Sequence, residues 1–164
     1  MRVLLISTYD LGHQPFGIAS PAAWLASDGH SVDCVDISVE PLTEEHIRRA
    51  DVAALYLPMH TATRLAVPVL ERIRRLNPRV RLCCFGLYAP LNEDLLRGLG
   101  VEAIIGGEFE AELRRFARGG SPGTLISLEK LNFLVPDRSG LPQLERYSSL
   151  RVGKERRLTG YVEA

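Results

Sequence analysis

From residue 2 to about residue 118, short apolar runs alternate with segments whose apolar residues recur three or four apart, and this limits the fold more than any other feature. The runs are residues 2–7, 31–37, 51–57, 80–85 and 101–105, and the helical patterns are 18–27, 44–50, 63–76, 93–99 and 108–118. Strands this continuously apolar need cover on both faces, which a parallel sheet with helices on either side provides. The punctuation agrees. Asp28-Gly29 closes the first helical pattern, Asn77-Pro78 the third, Gly98 and Gly100 the fourth, and Gly119-Gly120 the fifth. Pro68 lies inside the third pattern, where a missing N–H predicts a late helix start or a kink.

Five strands and five helices in this order predict a flavodoxin-like (Rossmann-like) α/β fold. The expected sheet is doubly wound, parallel and five-stranded, with strand order 2-1-3-4-5 in a three-layer α/β/α sandwich. A length of 164 residues with 46% hydrophobic side chains suits one domain, placed at residues 1–120, with some extra chain. Residues 121–123 read as a loop and 124–131 as one further strand. From residue 132 no period is sustained, and Pro136, Gly140, Pro142, Gly153 and Gly160 interrupt the chain, so 121–164 reads as a linker.

Twenty basic residues balance twenty acidic ones, which removes the electrostatic argument for nucleic acid or an anionic membrane surface. The longest apolar runs fall far short of the roughly 20 residues that span a bilayer. Met1-Arg2 leads directly into Val3-Leu4-Leu5-Ile6, which leaves no room for a signal peptide and makes the cytoplasm the expected compartment. Cys34, Cys83 and Cys84 sit in strand-like runs as small buried hydrophobes, with no CxxC or Cys/His metal spacing.

Ligands of open parallel sheets bind outside the carboxyl ends of the strands, so the segments following each run carry the functional information. After the first comes Thr8-Tyr9-Asp10-Leu11-Gly12-His13-Gln14-Pro15-Phe16-Gly17, long for such a turn. After the third comes Pro58-Met59-His60-Thr61-Ala62-Thr63, after the fourth Gly86-Leu87-Tyr88-Ala89-Pro90, and after the fifth Gly106-Gly107-Glu108-Phe109-Glu110. Alone, Gly106-Gly107 is an ordinary strand-to-helix turn, with Glu108 and Glu110 favouring the helix dipole, and His13 or His60 an ordinary polar loop residue. Their joint placement at one edge makes them a candidate site, where small residues let backbone approach a large flat ligand.

Residues 103–113, with Gly106-Gly107-Glu108-Phe109-Glu110 at their centre, resemble the "GEGE" signature that closes the cobalamin-binding domain of many radical S-adenosylmethionine (SAM) proteins. Pro58-Met59-His60-Thr61 and Phe85-Gly86 agree with it. Phe133-Leu134-Val135-Pro136-Asp137-Arg138, with Leu141-Pro142 and Tyr147, is similar to the linker such proteins run toward their radical SAM barrel. Residues 159–164 are similar to that barrel's first strand, which in the family precedes a CxxxCxxC cluster motif. With residues 10–17, Ser20-Pro21-Ala22-Ala23-Trp24-Leu25 and 57–63, the form most like it is the radical SAM group named for its cysteine-containing tail motif.

The resemblance implies a cobalamin module, not itself catalytic, whose partner is a barrel beyond residue 164 holding a 4Fe-4S cluster and S-adenosylmethionine. The parent enzyme would perform methyl transfer or a radical rearrangement. Asp10, Leu11, Gly12, His13 and Gly17 would flank the corrin with Leu57, Pro58, Met59, His60, Thr61 and Thr63. Thr61 and Thr63 would donate to corrin amides, and Leu57 and Met59 would supply apolar contact. Gly86, Leu87, Tyr88, Gly106, Gly107 and Glu108 would border the channel for the nucleotide tail. A fragment lacking its barrel is expected to expose apolar surface, with a dimer or a disordered tail from about residue 132 as consequences.

Cobalamin mutases and methionine synthase place a histidine beneath cobalt through DxHxxG. Here Asp10 and His13 are three apart and Gly17 lies four beyond, so each spacing misses by one residue. The expected pocket therefore has no protein histidine under cobalt, with ligation by His13 the alternative. The other function class is a flavodoxin-like small-ligand or interaction module without cobalamin. Its phosphoacceptor version lacks a carboxylate at the end of the third run, its dinucleotide version lacks GxGxxG, and no serine sits in a recognisable nucleophile turn.

Overall fold

The computed structural model describes residues 1–160. Its central sheet is parallel, with β1 (Arg2–Ser7), β2 (Ser31–Asp36), β3 (Val52–Tyr56), β4 (Arg81–Phe85), β5 (Ala103–Gly107) and the short β6 (Ile126–Ser127) in the order β2-β1-β3-β4-β5-β6. The first five follow the expected order, and β6 falls within the further strand expected at 124–131. The helices are α1 (Phe16–Ser27), α2 (Glu44–Arg49), α3 (His60–Leu76), α4 (Glu93–Gly98) and α5 (Glu110–Ala117).

Alternation along each strand splits the core in two. Leu4, Ile6, Ala53, Leu55, Leu57, Leu82 and Cys84 face α2, α3 and α4, whereas Val3, Leu5, Val52, Ala54, Tyr56, Cys83 and Phe85 face α1 and α5. Both sides are buried and apolar, as continuous apolar runs require. Cys83 and Cys84 are fully buried, one on each side, and burial pushes both thiols well above their ordinary range. Cys34 is free as well and is pushed up to about 12.

Away from the carboxyl edge, charged groups tie the helix ends down. Asp28, just past α1, accepts from Arg118 at 2.9 Å and from Arg114, and the Arg114 bond holds its carboxyl at about 2. Arg81 donates to the carbonyls of Phe116 (2.8 Å) and Gly120 (3.0 Å) at the end of α5, with its guanidinium 3.9 Å from the Phe116 ring centre.

Two local expectations are corrected. The late start expected for α3 does not occur: the helix begins at His60 and continues through Pro68, with Pro68 and Arg64, the residue whose carbonyl loses its helical partner, both exposed so that water can replace the bond. Gly106 and Gly107 do not open a helix. They are the last residues of β5, held there by pairing with Ile126 and Ser127. Within the irregular tail the structure adds two ordered stretches.

Residues 137–148 form a strap across α1 and the end of β2. The Asp137 N–H donates to the Ala19 carbonyl at 2.9 Å, and Leu141 joins the α1 side of the core. After a turn of 3-10 helix at Leu144–Arg146, Tyr147 is buried beside Asp36. An antiparallel hairpin follows, β7 (Ser149–Val152) and β8 (Glu155–Leu158), almost wholly exposed on both faces. The barrel-like segment 159–164 lies, for its last four residues, outside the described residues. Among the described residues no helix is long and apolar enough to cross a membrane.

Candidate functional site

Because the sheet is parallel, the carboxyl ends of its strands open on one edge, and the winding reverses between β1 and β3. A cleft of about 370 Å³ sits at that edge. The β1 loop contributes Asp10, Leu11 and His13, and the end of β3 gives Tyr56, Pro58 and Met59. Gly86 and Leu87 follow β4, and Gly107 and Phe109 close the far side.

The floor is aromatic, formed by Tyr56 and Phe109 with Phe85 fully buried beneath them. Tyr56, Phe85 and Phe109 pack with ring centres 4.9 to 6.0 Å apart at tilted angles, the geometry that ring quadrupoles favour. Around the floor stand apolar groups: Leu11 is 58% exposed and Leu87 70%, with Pro58 and Met59 half-buried between them. Side chains this open at a cleft mouth offer apolar contact to a flat ligand lying across it.

The β1 loop is conformationally unusual. Leu11 has φ 51° and Gly12 φ 79°, two successive residues in the left-handed region, and for leucine this costs about 1 to 2 kcal/mol. The turn is closed by the His13 N–H donating to the Asp10 carbonyl at 2.8 Å. Outside support comes from the strap. The Ser148 N–H donates to the Gly12 carbonyl at 2.8 Å, Gln14 Nε2 donates to the Pro142 carbonyl at 2.9 Å, and Arg138 Nη1 donates to Gln14 Oε1 at 3.0 Å.

The opposite wall is built by the sheet itself. Gly86 has φ 104°, its N–H donates to the Ile105 carbonyl at 3.0 Å, and an added Cβ would stand 3.0 Å from the Leu57 carbonyl oxygen. Gly107 has φ 69°, and a Cβ there would come within 2.0 Å of the Ser127 carbonyl oxygen. The Glu108 N–H donates to that same oxygen at 2.8 Å, which fixes the turn into α5.

Asp10, Leu11, His13, Pro58, Met59, Gly86, Leu87 and Gly107 therefore meet at one cleft. The other candidates lie around it. His60 and Thr61 are exposed on the first turn of α3, while Thr63 is buried and its hydroxyl donates to the Met59 carbonyl at 3.1 Å. Leu57 is buried on the opposite face of the sheet, where Tyr88 also packs. Glu108 is half-buried at the turn beyond β5, and Gly12 lies against Ser148. The space beside Gly106 is taken by Pro90, and that beside Gly17 by the Tyr56 ring.

Tyr56 and Phe109 were not among the residues expected here. The signal for Tyr56 was available in the period of two along β3, which sends Val52, Ala54 and Tyr56 to one face and Ala53, Leu55 and Leu57 to the other. The cleft is thus faced by Tyr56, not by its neighbour Leu57. Among the described residues no group of three His, Cys, Asp or Glu side chains is arranged to hold a metal ion.

No protein-family model matches the chain, and no curated protein matches it. Among solved structures it is similar to the radical S-adenosylmethionine methyltransferase TsrM from Kitasatospora setae. With tryptophan substrate and a SAM analogue bound, the match is 17% identical with TM-score 0.59 and covers 72% of this chain and 25% of that one. With cobalamin and a 4Fe-4S cluster bound, it is 17% identical with TM-score 0.57 and covers 71% and 26%. The chain thus matches about a quarter of the length of that enzyme, and what the two share is the Rossmann-like fold.

Proposed function

We propose that this chain is a cobalamin-binding module of a radical SAM enzyme, presenting the cofactor to a catalytic part of the parent protein that holds a 4Fe-4S cluster and S-adenosylmethionine. One observation carries the reading: an apolar-rimmed, aromatic-floored cleft at the carboxyl edge, bordered by Gly86 and Gly107, in a fold similar to that of an enzyme that binds cobalamin. A corrin is broad and flat, and Leu11, Pro58, Met59 and Leu87 would lie against its ring. Gly86 holds a φ of 104° and packs against the Leu57 carbonyl and the Tyr56 ring, so glycine is what lets this turn border the cleft.

The group fits with one adjustment. Tyr56 fills the space between Gly17 and Gly86, so a group entering between the sheet and α1 there would need its ring to swing aside. The cofactor would supply the alkyl-transfer or radical chemistry. The chain's own residues bind and orient. His13 stands on the cleft wall beside Asp10, and the displaced spacing of Asp10, His13 and Gly17 favours a cobalt without a histidine beneath it.

Titration of the full chain with hydroxocobalamin, followed by ultraviolet-visible spectroscopy and co-elution, tests this reading. A spectral change with micromolar affinity is expected, with His13→Ala giving the same bound spectrum. The absence of both spectral change and co-elution overturns the cofactor assignment, and a bound spectrum altered by His13→Ala overturns the histidine-free site. Cobinamide, which lacks the nucleotide tail, is expected to bind more weakly. Equal binding would mean that the tail adds no affinity and would overturn a tail site beside Tyr56.

A further inference from the structure

The strap and the β1 loop are joined more closely than packing alone requires. The loop holds two successive left-handed residues, one of them a leucine, and such a conformation persists only where its surroundings enforce it. Three bonds from residues 138, 142 and 148 reach it, on Gly12 and on both ends of the Gln14 amide. Gln14 is itself only 7% exposed, so an unmet amide there would be costly.

At its other contacts the strap is fastened to rigid parts of the fold. The Asp137 N–H bonds the Ala19 carbonyl inside α1, Leu141 is buried in the core, Tyr147 is buried beside Asp36 at the end of β2, and Arg146 bonds the Val39 carbonyl. Rigid anchors on one side and a strained loop on the other are what a positioning element needs.

We propose that residues 137–148 position the Asp10–His13 wall of the cleft, with Gln14, Arg138 and Ser148 as the positioning residues, so that filling the cleft and docking the strap are one coupled equilibrium. The choice of ligand, though not the coupling, rests on the cobalamin reading. Reciprocity follows: a ligand that holds Leu11 and His13 in place tightens the strap by the factor by which the strap tightens the ligand. Ser148 leads directly into the exposed hairpin, so whatever engages the hairpin acts on the residue bonded to Gly12.

Hydrogen exchange by mass spectrometry on the full chain tests this first without ligand. Ser148→Pro removes the N–H that Gly12 accepts, and Gln14→Ala removes the other two bonds. In each, exchange over residues 10–14 should be about five- to tenfold faster while β3 and β4 keep wild-type rates. Gln14→Glu keeps the acceptor for Arg138 and loses the donor to Pro142, so an intermediate rate is expected. If Ser148→Pro fails to fold, Gln14→Ala and Gln14→Glu supply the same reading. Wild-type exchange over 10–14 in the folded variants overturns the proposal. With hydroxocobalamin at saturation, wild-type exchange over 137–148 should slow, and bound cofactor without such slowing also overturns it. A wild-type chain that shows neither spectral change nor co-elution with hydroxocobalamin ends the cofactor reading alone, and the ligand-free arm then decides the role of the strap.

Discussion

The two walls of the cleft reach similar backbone conformations by different routes. On the β4 and β5 side, Gly86 and Gly107 are held by neighbouring strands, and an added side chain would meet the Leu57 carbonyl and the Tyr56 ring at Gly86 and the Ser127 carbonyl at Gly107. On the β1 side, Leu11 and Gly12 are held by chain from beyond residue 137, and the atom nearest an added Cβ at Gly12 is the Ser148 side-chain oxygen. One wall belongs to the sheet. The other is a loop fastened from outside, by bonds from residues 138, 142 and 148.

The largest expected effect falls on the sheet-built wall. Gly107→Val forces a β-branched residue to φ 69° and against the Ser127 carbonyl, and should lower unfolding free energy by about 3 kcal/mol in urea titrations. Gly12→Ala faces a hydroxyl that can turn away, leaving mainly the backbone cost, so a loss of about 1 kcal/mol is expected on the same measurement. Equal losses would erase the distinction between the walls.

A smaller effect separates them by pH. Asp36, fully buried under the strap, is held above the ordinary carboxylate range by burial, against hydrogen bonds from Ser38, with Tyr147 and Glu40 also facing it. A carboxyl raised on folding contributes stability that is full below its unfolded value of 3.8 and is lost as pH rises through the folded one. The stability of wild type relative to Asp36→Asn should therefore fall as pH is raised from 4 toward neutrality. Asp28 has the opposite sign, since its carboxyl is lowered to about 2, and its contribution is lost only as pH falls from 3.8 toward that value. Exchange over residues 10–14 should follow the Asp36 titration while the Gly86 turn does not, and parallel behaviour of both turns would break the comparison.

How much of this was legible in the sequence follows the range of the forces involved. The continuous apolar runs and their glycine stops disclosed the five main strands, because burial on both faces leaves a local trace. The carboxyl-edge loops were legible for the same reason, as breaks in that pattern. Pro68 misled because the cost of a proline depends on whether water reaches the orphaned carbonyl, a property of the folded surface. Gly106 and Gly107 were placed one element too late because their conformation is set by β6, twenty residues on. The strap left no periodic trace, since its hold depends on single bonds such as Gln14 to Pro142, separated by 128 positions. Residues 10 and 13 looked like one half of a site, and nothing near them named the other residues that keep them in place.

The hairpin that ends the described chain has two open edges and almost no buried side chain, a shape that ordinarily invites copies of a protein to add strands to one another. Here the ribbon carries Arg151, Lys154, Arg156 and Arg157 against Glu155. A second copy laid along the ribbon would bring its four cations toward the first four against only one acid each, a charge excess that disfavours self-templated strand addition.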